Sequence, residues 1–424
     1  MTRYKVLISA CLVWMMAIEI AAQTSTNSPY TRYGFGQLSD QSFGNSQAMG
    51  GISYGLRNGL QVNASNPASY SAVDSLTFIF DAGMSLQNAN FKEGNVKVNA
   101  KNSSVDYIAM QFRLAKGLGF SAGFLPYSNV GYNMNKTNKV TTDEHGNTTA
   151  ANQAYVGDGG LQQVYVGLGY QIFKGLSIGT NFSFLYGDIT HTASTTFSNT
   201  NAYSSSRSHK IDVSDYKLDF GLQYTHKLKE KHVLNLGAIY SLGHELNSTG
   251  YEYVEKYSGN TVITQSVDTI KNAFALPHTF GLGATYVYDN KLTIGLDYTL
   301  QKWEDVKFFN KDGAFQNRSK ISVGAEYLPN PIGRSYFSNI RYRVGAYYSS
   351  PYAKIDGKDG NREYGVSVGL GIPLHFYNSR SILNISGQYV KVAPKLKGML
   401  EENYLRINIG LTFNEQWFMK WKVD

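Results

Sequence analysis

The chain has 424 residues, and hydrophobic residues make up 42% of them but charged residues only 17%. With a mean hydropathy of −0.29, it cannot be a bundle of transmembrane helices, each of which needs about 20 consecutive apolar residues. The net charge of +8 is spread without a basic cluster, so nothing points to nucleic acid.

The first residues read as a signal peptide over 1–22. Arg3 and Lys5 precede an apolar run from Val6 to Ile18, and the small residues Ala21 and Ala22 suit cleavage before Gln23. Cys11, the one cysteine, lies inside this segment, which leaves no thiol for a metal, a disulfide or a nucleophile.

Residues 23–73 show no alternation. They are Ser-, Gly- and Asn-rich turns around short apolar clusters. Gly50-Gly51 permits a tight backbone turn, and Pro67 fixes its own φ and holds Asn66 extended, just before Ala68. We read the segment as a hatch lying inside the structure that follows.

From residue 74 to 413 the dominant period is two, the mark of strands with unlike faces. Tyr216, Leu218, Phe220, Leu222 and Tyr224 share one face, against Asp215, Lys217, Asp219, Gly221 and Gln223 on the other. The pattern predicts fourteen strands, over 74–90, 104–115, 118–132, 161–173, 176–190, 211–226, 232–244, 278–288, 291–303, 318–328, 339–350, 363–374, 381–391 and 403–413. Short links such as Lys116-Gly117 and Asp289-Asn290 alternate with long polar ones over 133–160, 191–210, 245–277 and 304–317. Apolar faces against Gly, Ser, Thr, Asn and Gln faces, with short turns at one end and long loops at the other, are the signature of an outer-membrane barrel. The expected fold is all-β: a 14-stranded antiparallel transmembrane barrel with a small N-terminal hatch. Residues 414–424, with Trp417, Phe418 and Trp421, are expected as a C-terminal periplasmic tail.

Pro126 stands within the third strand. A closed barrel has no edge on which to place a proline, so Pro126 marks either a lateral opening or the strand's outer end above the hydrocarbon. The polar faces carry Asp81, Arg113, Asp215, Lys217, Asp219, Asp297, Lys320, Glu326, Arg341 and Arg343. Charges of both signs predict ion pairs and hydrogen bonds to the hatch before they predict a substrate site, and they argue against an ion-selective pore. The eight His residues show no metal-ligand spacing, and there is no nucleophile elbow or phosphate loop; no catalytic residue, cofactor or metal is expected.

The Gly-rich turn, Asn66-Pro67-Ala68 before the first strand, and the strand count together resemble the FadL family of outer-membrane channels. The stretch from Leu276 to Gly283 is similar to that family's middle strands. The resemblance implies a plugged barrel in the outer membrane, in contact with lipid and lipopolysaccharide, inserted by the barrel-assembly machinery, and taking up a hydrophobic compound such as a long-chain fatty acid through a gap at strand three. The alternative is a FadL-like barrel acting as a type IX secretion accessory or a structural protein. Loop aromatics Tyr251, Tyr253, Tyr257, Phe308 and Phe309 are candidates for an apolar mouth.

Overall fold

A computed structural model describes residues 25–416 apart from 143–147, 200–201, 260, 310, 331–334, 356, 375–379 and 396–398. The expected signal peptide and the aromatics at 417, 418 and 421 lie outside the described residues.

Fourteen antiparallel strands close a barrel. They are β1 (Thr77–Glu93), β2 (Val96–Ala115), β3 (Leu118–Thr142), β4 (Thr148–Phe173), β5 (Leu176–Phe197), β6 (Ser204–Lys229), β7 (His232–Ser241), β8 (Thr279–Tyr288), β9 (Leu292–Gln301), β10 (Arg318–Tyr327), β11 (Arg341–Ser349), β12 (Arg362–Leu374), β13 (Ser381–Ala393) and β14 (Glu401–Gln416). β14 closes on β1 from Glu401↔Lys92 to Gln416↔Thr77, and β7 pairs with β8 from Ser241↔Thr279 to His232↔Tyr288.

The lipid face follows the alternation. Val164, Val166, Leu168 and Tyr170 are exposed, while Gln163 and Tyr165, on the opposite face of the same strand, are buried in the lumen. The turn end is built from tight hairpins. Asp289 and Asn290 both have φ +53°, the left-handed pair that a two-residue hairpin requires.

Three expectations need correction. The polar stretches 133–160 and 191–210 are mostly not loops: β3 to β6 continue through them, and His191↔His209 and Tyr132↔Gly157 are ladder pairs. Link 245–277 holds a hairpin, Ser248–Ser258 with Thr261–Lys271, laid along the outer part of β6. β14 also runs past Phe413, so Asn414 to Gln416 belong to the barrel wall. Polar composition hid these extensions, because beyond the lipid neither face of a strand has to be apolar.

Residues 25–76 thread the lumen. They start at the loop end, where Ser28 Oγ donates to Glu402 Oε1 at 2.6 Å and Tyr30 Oη donates to the Leu400 carbonyl at 2.7 Å. They finish at the turn end in the short 3-10 helix Pro67–Ala72.

Candidate functional site: the interrupted wall and the hatch that faces it

The ladder between β2 and β3 is short. It runs from Ala115↔Leu118 to Ile108↔Phe124 and stops there. Beyond it, among the described residues, β2 from Val96 to Tyr107 and β3 from Leu125 onward share no pairs, although each stays paired with its other neighbour. Two local irregularities coincide with the break. β2 bulges at Asp106, between Met84↔Val105 and Gly83↔Tyr107, and β3 bulges at Tyr127, between Pro126↔Gln162 and Ser128↔Leu161. A bulge bends its strand and re-aims its side chains, and proline cannot donate to a ladder. Pro126 therefore sits two residues past the last β2–β3 pair, at the mouth of the split.

The hatch takes over from β2. Gln37 and Leu38 pair with Asn129 and Ser128 of β3. Ser39 N–H donates to the Tyr127 carbonyl at 3.0 Å, and Gln41 Nε2 donates to the Pro126 carbonyl at 2.9 Å. On the other bank, Asn27 Nδ2 donates to Asn102 Oδ1 of β2 at 2.8 Å. Buried backbone groups must be paired in hydrocarbon, and here the N-terminal segment supplies part of the pairing.

Two chemically distinct volumes meet at this split. Toward the loop end lies an apolar cluster that plugs the mouth. Phe35, from the hatch, stacks on Phe274 at 4.3 Å and meets Trp303 edge-on at 5.3 Å; Phe308 and Phe315 extend the cluster. Val130 and Tyr132 of β3 belong to it, and Tyr127 packs against Phe35 at 6.2 Å. Toward the turn end lies a chamber of about 260 Å³ whose walls include Asp40, Gln41, Asn102, Asp106, Asp297 and Lys320. Burial alone would raise the Asp40 carboxyl, but the Lys320 ammonium at 3.7 Å, with the Ser42 hydroxyl and Arg406, holds it below its ordinary value of 3.8.

The charged residues singled out in the sequence separate into several groups. Glu326 takes Arg341 at 2.9 Å and Arg343 at 2.7 Å, and Arg343 also donates to Asn384 Oδ1 at 2.6 Å. Lys217 pairs with Asp219 at 2.5 Å. Asp297 accepts from the backbone N–H of Ser53 at 2.6 Å and of Tyr54 at 2.9 Å, which bolts the hatch to β9. Asp215 accepts from Asn247 N–H at 2.6 Å and so ties a loop instead. Asp81 is buried on β1 with Oδ1 unpartnered, and Arg113 stands at the turn end bonded to the Ala115 carbonyl. They do not form a single network.

The hatch residues have separate tasks. Gly50, at φ +68°, lies so close to β11 that a Cβ would be 2.7 Å from the Ala346 carbonyl oxygen; Gly51 follows at φ +85°. Asn66 Oδ1 caps the Ala68 N–H at 3.2 Å, and its Nδ2 donates to the Tyr54 carbonyl at 2.8 Å and the Leu222 carbonyl at 3.2 Å. Pro67 and Ala68 rest on the wall at Gly179, where a Cβ would fall 2.3 Å from the Pro67 carbonyl carbon. Of the loop aromatics, Phe308 and Phe309 join the mouth cluster, whereas Tyr251 and Tyr253 stack on each other in the outer hairpin, and Tyr257 there bonds Glu255. Phe35, Phe274, Trp303 and Phe315 carried no signal in the sequence, because they come from irregular segments far apart in the chain. Among the described residues no three His, Cys, Asp or Glu side chains are placed to hold a metal.

The family model described as BamG matches residues 1–424. This chain belongs to the BamG family. No curated protein matches it. Solved structures similar to this BamG-family barrel include the P. putida toluene transporter TodX, at 15% identity, TM-score 0.60, covering 90% of this chain and 100% of that one. A Pseudomonas aeruginosa FadL homologue is similar at 12% identity, TM-score 0.59, covering 90% and 99%. The CymD monoaromatic hydrocarbon channel is similar at 12% identity, TM-score 0.58, covering 91% and 99%. At such identities the likeness is one of fold: the BamG-family chain folds as a FadL-type barrel.

Proposed function

We propose that this barrel passes a hydrophobic compound from its outer mouth sideways into the membrane through the split between β2 and β3. The observation that carries the reading is continuity of apolar surface. The freed stretch of β3 contributes Val130 and Tyr132 to the aromatic cluster at the mouth, so the cluster borders the split directly. Below it the chamber has a mixed wall, in which Asp40, Asp106, Asp297 and Lys320 stand among Leu125, Pro126 and Tyr127, so an apolar solute moving deeper has to strip water from charged groups. A straight route to the periplasm is thus unfavourable, and the lateral route is the short one. The likeness in fold to channels described as carrying toluene and monoaromatic hydrocarbons supports the same reading. Residues 1–22 act, on this reading, as the signal that delivers the chain to the outer membrane. Uptake of labelled oleate and toluene by cells producing wild type or Pro126→Val tests it. Reduced uptake at equal surface level is expected, and undiminished uptake in the variant would sink the idea.

The family description supports a second reading, in which the barrel associates with the barrel-assembly machinery. The unpaired β2 edge from Val96 to Tyr107 favours it, since such an edge is a template for another strand. Co-purification of the machinery with the intact protein, together with normal uptake in Pro126→Val, is the outcome that would favour this reading over the first.

A further inference from the structure

The outward face of the barrel changes chemistry at the loop end of β12 to β14, β1 and β2. Lower down, opposed residues form an exposed apolar row across these five strands: Leu370, Ile385, Ile409, Met84 and Val105. Further out on the same face the row reads Tyr364, Lys391, Asn403, Asn90 and Asn99, flanked by Lys92, Lys97 and Lys101. We propose that this rim is a binding site for the phosphate groups of lipid A, the acylated and phosphorylated sugar that anchors lipopolysaccharide. The proposal rests on the outer-membrane reading of the barrel but not on the split as the route of uptake.

The argument begins with charge. Lys92 and Lys97 are ladder partners, so their side chains leave one face from directly opposite positions, an arrangement of like charges that is destabilising by itself. Lys101 stands opposite Asn88, and Lys391 opposite Asn403, on the same face. All four lysines are exposed, and none is paired among the described residues. Arg362, diagonal to Lys391, adds a fifth cation, because Asp359 close to it is bonded to Lys395. Glu401, opposite Lys92, is the one acid on this outward face among the described residues; Glu93 shares the inward face with buried Phe91. The excess is local: the outer stretches of β4 to β6 carry Asp158, Asp188 and Asp212 on their outward face, against Lys210.

The ground between the lysines is made of amides. Asn99 Nδ2 donates to Asn88 Oδ1 at 2.6 Å and to Asn90 Oδ1 at 2.9 Å. Those two amides turn their oxygens to Asn99, which leaves their Nδ2 groups for an acceptor from outside. A phosphate offers only acceptors and negative charge, the complement of amide and ammonium donors. Lys97 and Lys101 lie two residues either side of Asn99, and Lys92 two residues beyond Asn90, each about 7 Å along the strand and within reach of one phosphate. The lower neighbours of this seat on the same face are Val366, Tyr389 and Leu405, all exposed. They form a wall for acyl chains, and Tyr364 and Tyr389 mark its junction with the headgroup level. Free phosphate would use the cations and leave that wall uncovered.

The test is native mass spectrometry of the intact barrel in a neutral detergent, titrated with hexa-acylated bisphosphoryl lipid A. A lysine beside an anionic lipid surface contributes roughly fivefold in binding, so the triple variant Lys92→Gln, Lys97→Gln, Lys101→Gln should bind about 100-fold more weakly than wild type. Wild type should bind the dephosphorylated lipid at least tenfold more weakly than the bisphosphoryl one. Lys116→Gln, Lys174→Gln, Lys227→Gln, which removes the same charge at the turn end, should bind like wild type. Heat-modifiable migration on gels verifies that each variant is folded. The proposal is overturned by a loss below tenfold in the folded rim variant, by an equal loss in the turn-end variant, or by equal binding of the dephosphorylated lipid. Half-displacement of lipid A by an equal concentration of dioleoylphosphatidylglycerol also overturns it, since the rim would then be a general site for anionic lipid.

Discussion

Replacing Gly179 with alanine probes how the hatch is seated. Gly179 faces the lumen on β5, and an added Cβ would stand 2.3 Å from the Pro67 carbonyl carbon and 2.5 Å from the Ala68 nitrogen. Both are backbone atoms of the short 3-10 helix, so no side chain can swing away. Ala68 is fully buried and Asn66 is bonded on both sides, so the helix has to lift as a unit. Overpacking of this kind costs about 1–3 kcal/mol, and the lower conformational freedom of alanine in a strand returns about 0.5–1 kcal/mol. A net loss of about 1–2 kcal/mol is expected from urea unfolding in detergent. Gly387→Ala is the matched control, since a Cβ there meets nothing within 4 Å, and it should be neutral or slightly stabilising. The lifted helix should also raise single-channel conductance in planar bilayers, because it blocks the turn end. Equal stability and equal conductance in the two variants would refute the seating argument.

Other expectations follow from the same geometry. Phe35→Ala removes the ring at the centre of the mouth cluster and should cost about 3–5 kcal/mol locally, read as faster hydrogen exchange at 273–276 and 303–308. Glu326→Gln strips the carboxylate from two arginines, one with a side chain wholly buried, and should cost about 3–5 kcal/mol in unfolding free energy. Asp40 titrates below its ordinary value of 3.8, so its stabilising link to Lys320 is complete above that pH and is lost as pH falls through the lower, folded-state value. Protease protection of residues 37–42 should therefore persist down to about pH 4 in wild type. In Lys320→Met it should fail at higher pH, because burial then acts on the Asp40 carboxyl without its ammonium partner; identical profiles would show that the pair does not hold the hatch.

The barrel was legible because lipid enforces period two on every strand that crosses it. Val366 and Val368 are exposed to lipid while Ser367 between them is buried, so the sequence records the wall residue by residue. The outer parts of β3 to β6 were not legible for the complementary reason. The outer stretches Asn135–Asn138 and Thr192–Phe197 are mostly polar in sequence, and a ladder between polar strands leaves no hydropathy pattern. Pro126 could be singled out because a proline in a closed wall has a physical consequence wherever it falls. The bulge at Asp106 has no such mark, nor does the stacking of Phe35 on Phe274, residues joined only by the path of the hatch through the lumen. The polar residues of the lumen were visible as a set, yet their division into separate pairs depends on register, which no single strand records.

The attachment of the hatch is unequal along its length, and this bears on how the split can open. Its later part is fixed to the wall by groups that are costly to detach: Asp297 holds two backbone N–H groups of Ser53 and Tyr54, and Asn66 and Arg57 bond to the Leu222 carbonyl and Gln223 of β6. The charge-assisted bonds among these, those of Asp297 and Arg57, are worth about 1.5–3 kcal/mol net each. The earlier part, which spans the split, is held at its start by the Ser28 bond to Glu402, in its middle by Phe35 in the mouth cluster, and at the split by two ladder residues, neutral side-chain bonds and the ion pair of Asp40 with Lys320. The bonds that tie residues 37–41 to β3 itself are neutral and contribute about 0.5–1.5 kcal/mol each, so that stretch can leave β3 while Asn66 and Pro67 keep the turn end closed. Opening toward the membrane and opening toward the periplasm are then separable events. Asp297→Ala, which frees the later part, should raise conductance without raising uptake of oleate. Leu38→Pro, which breaks the pairing with β3, should do the reverse. Parallel changes of both readouts in both variants would mean that the hatch moves as one body.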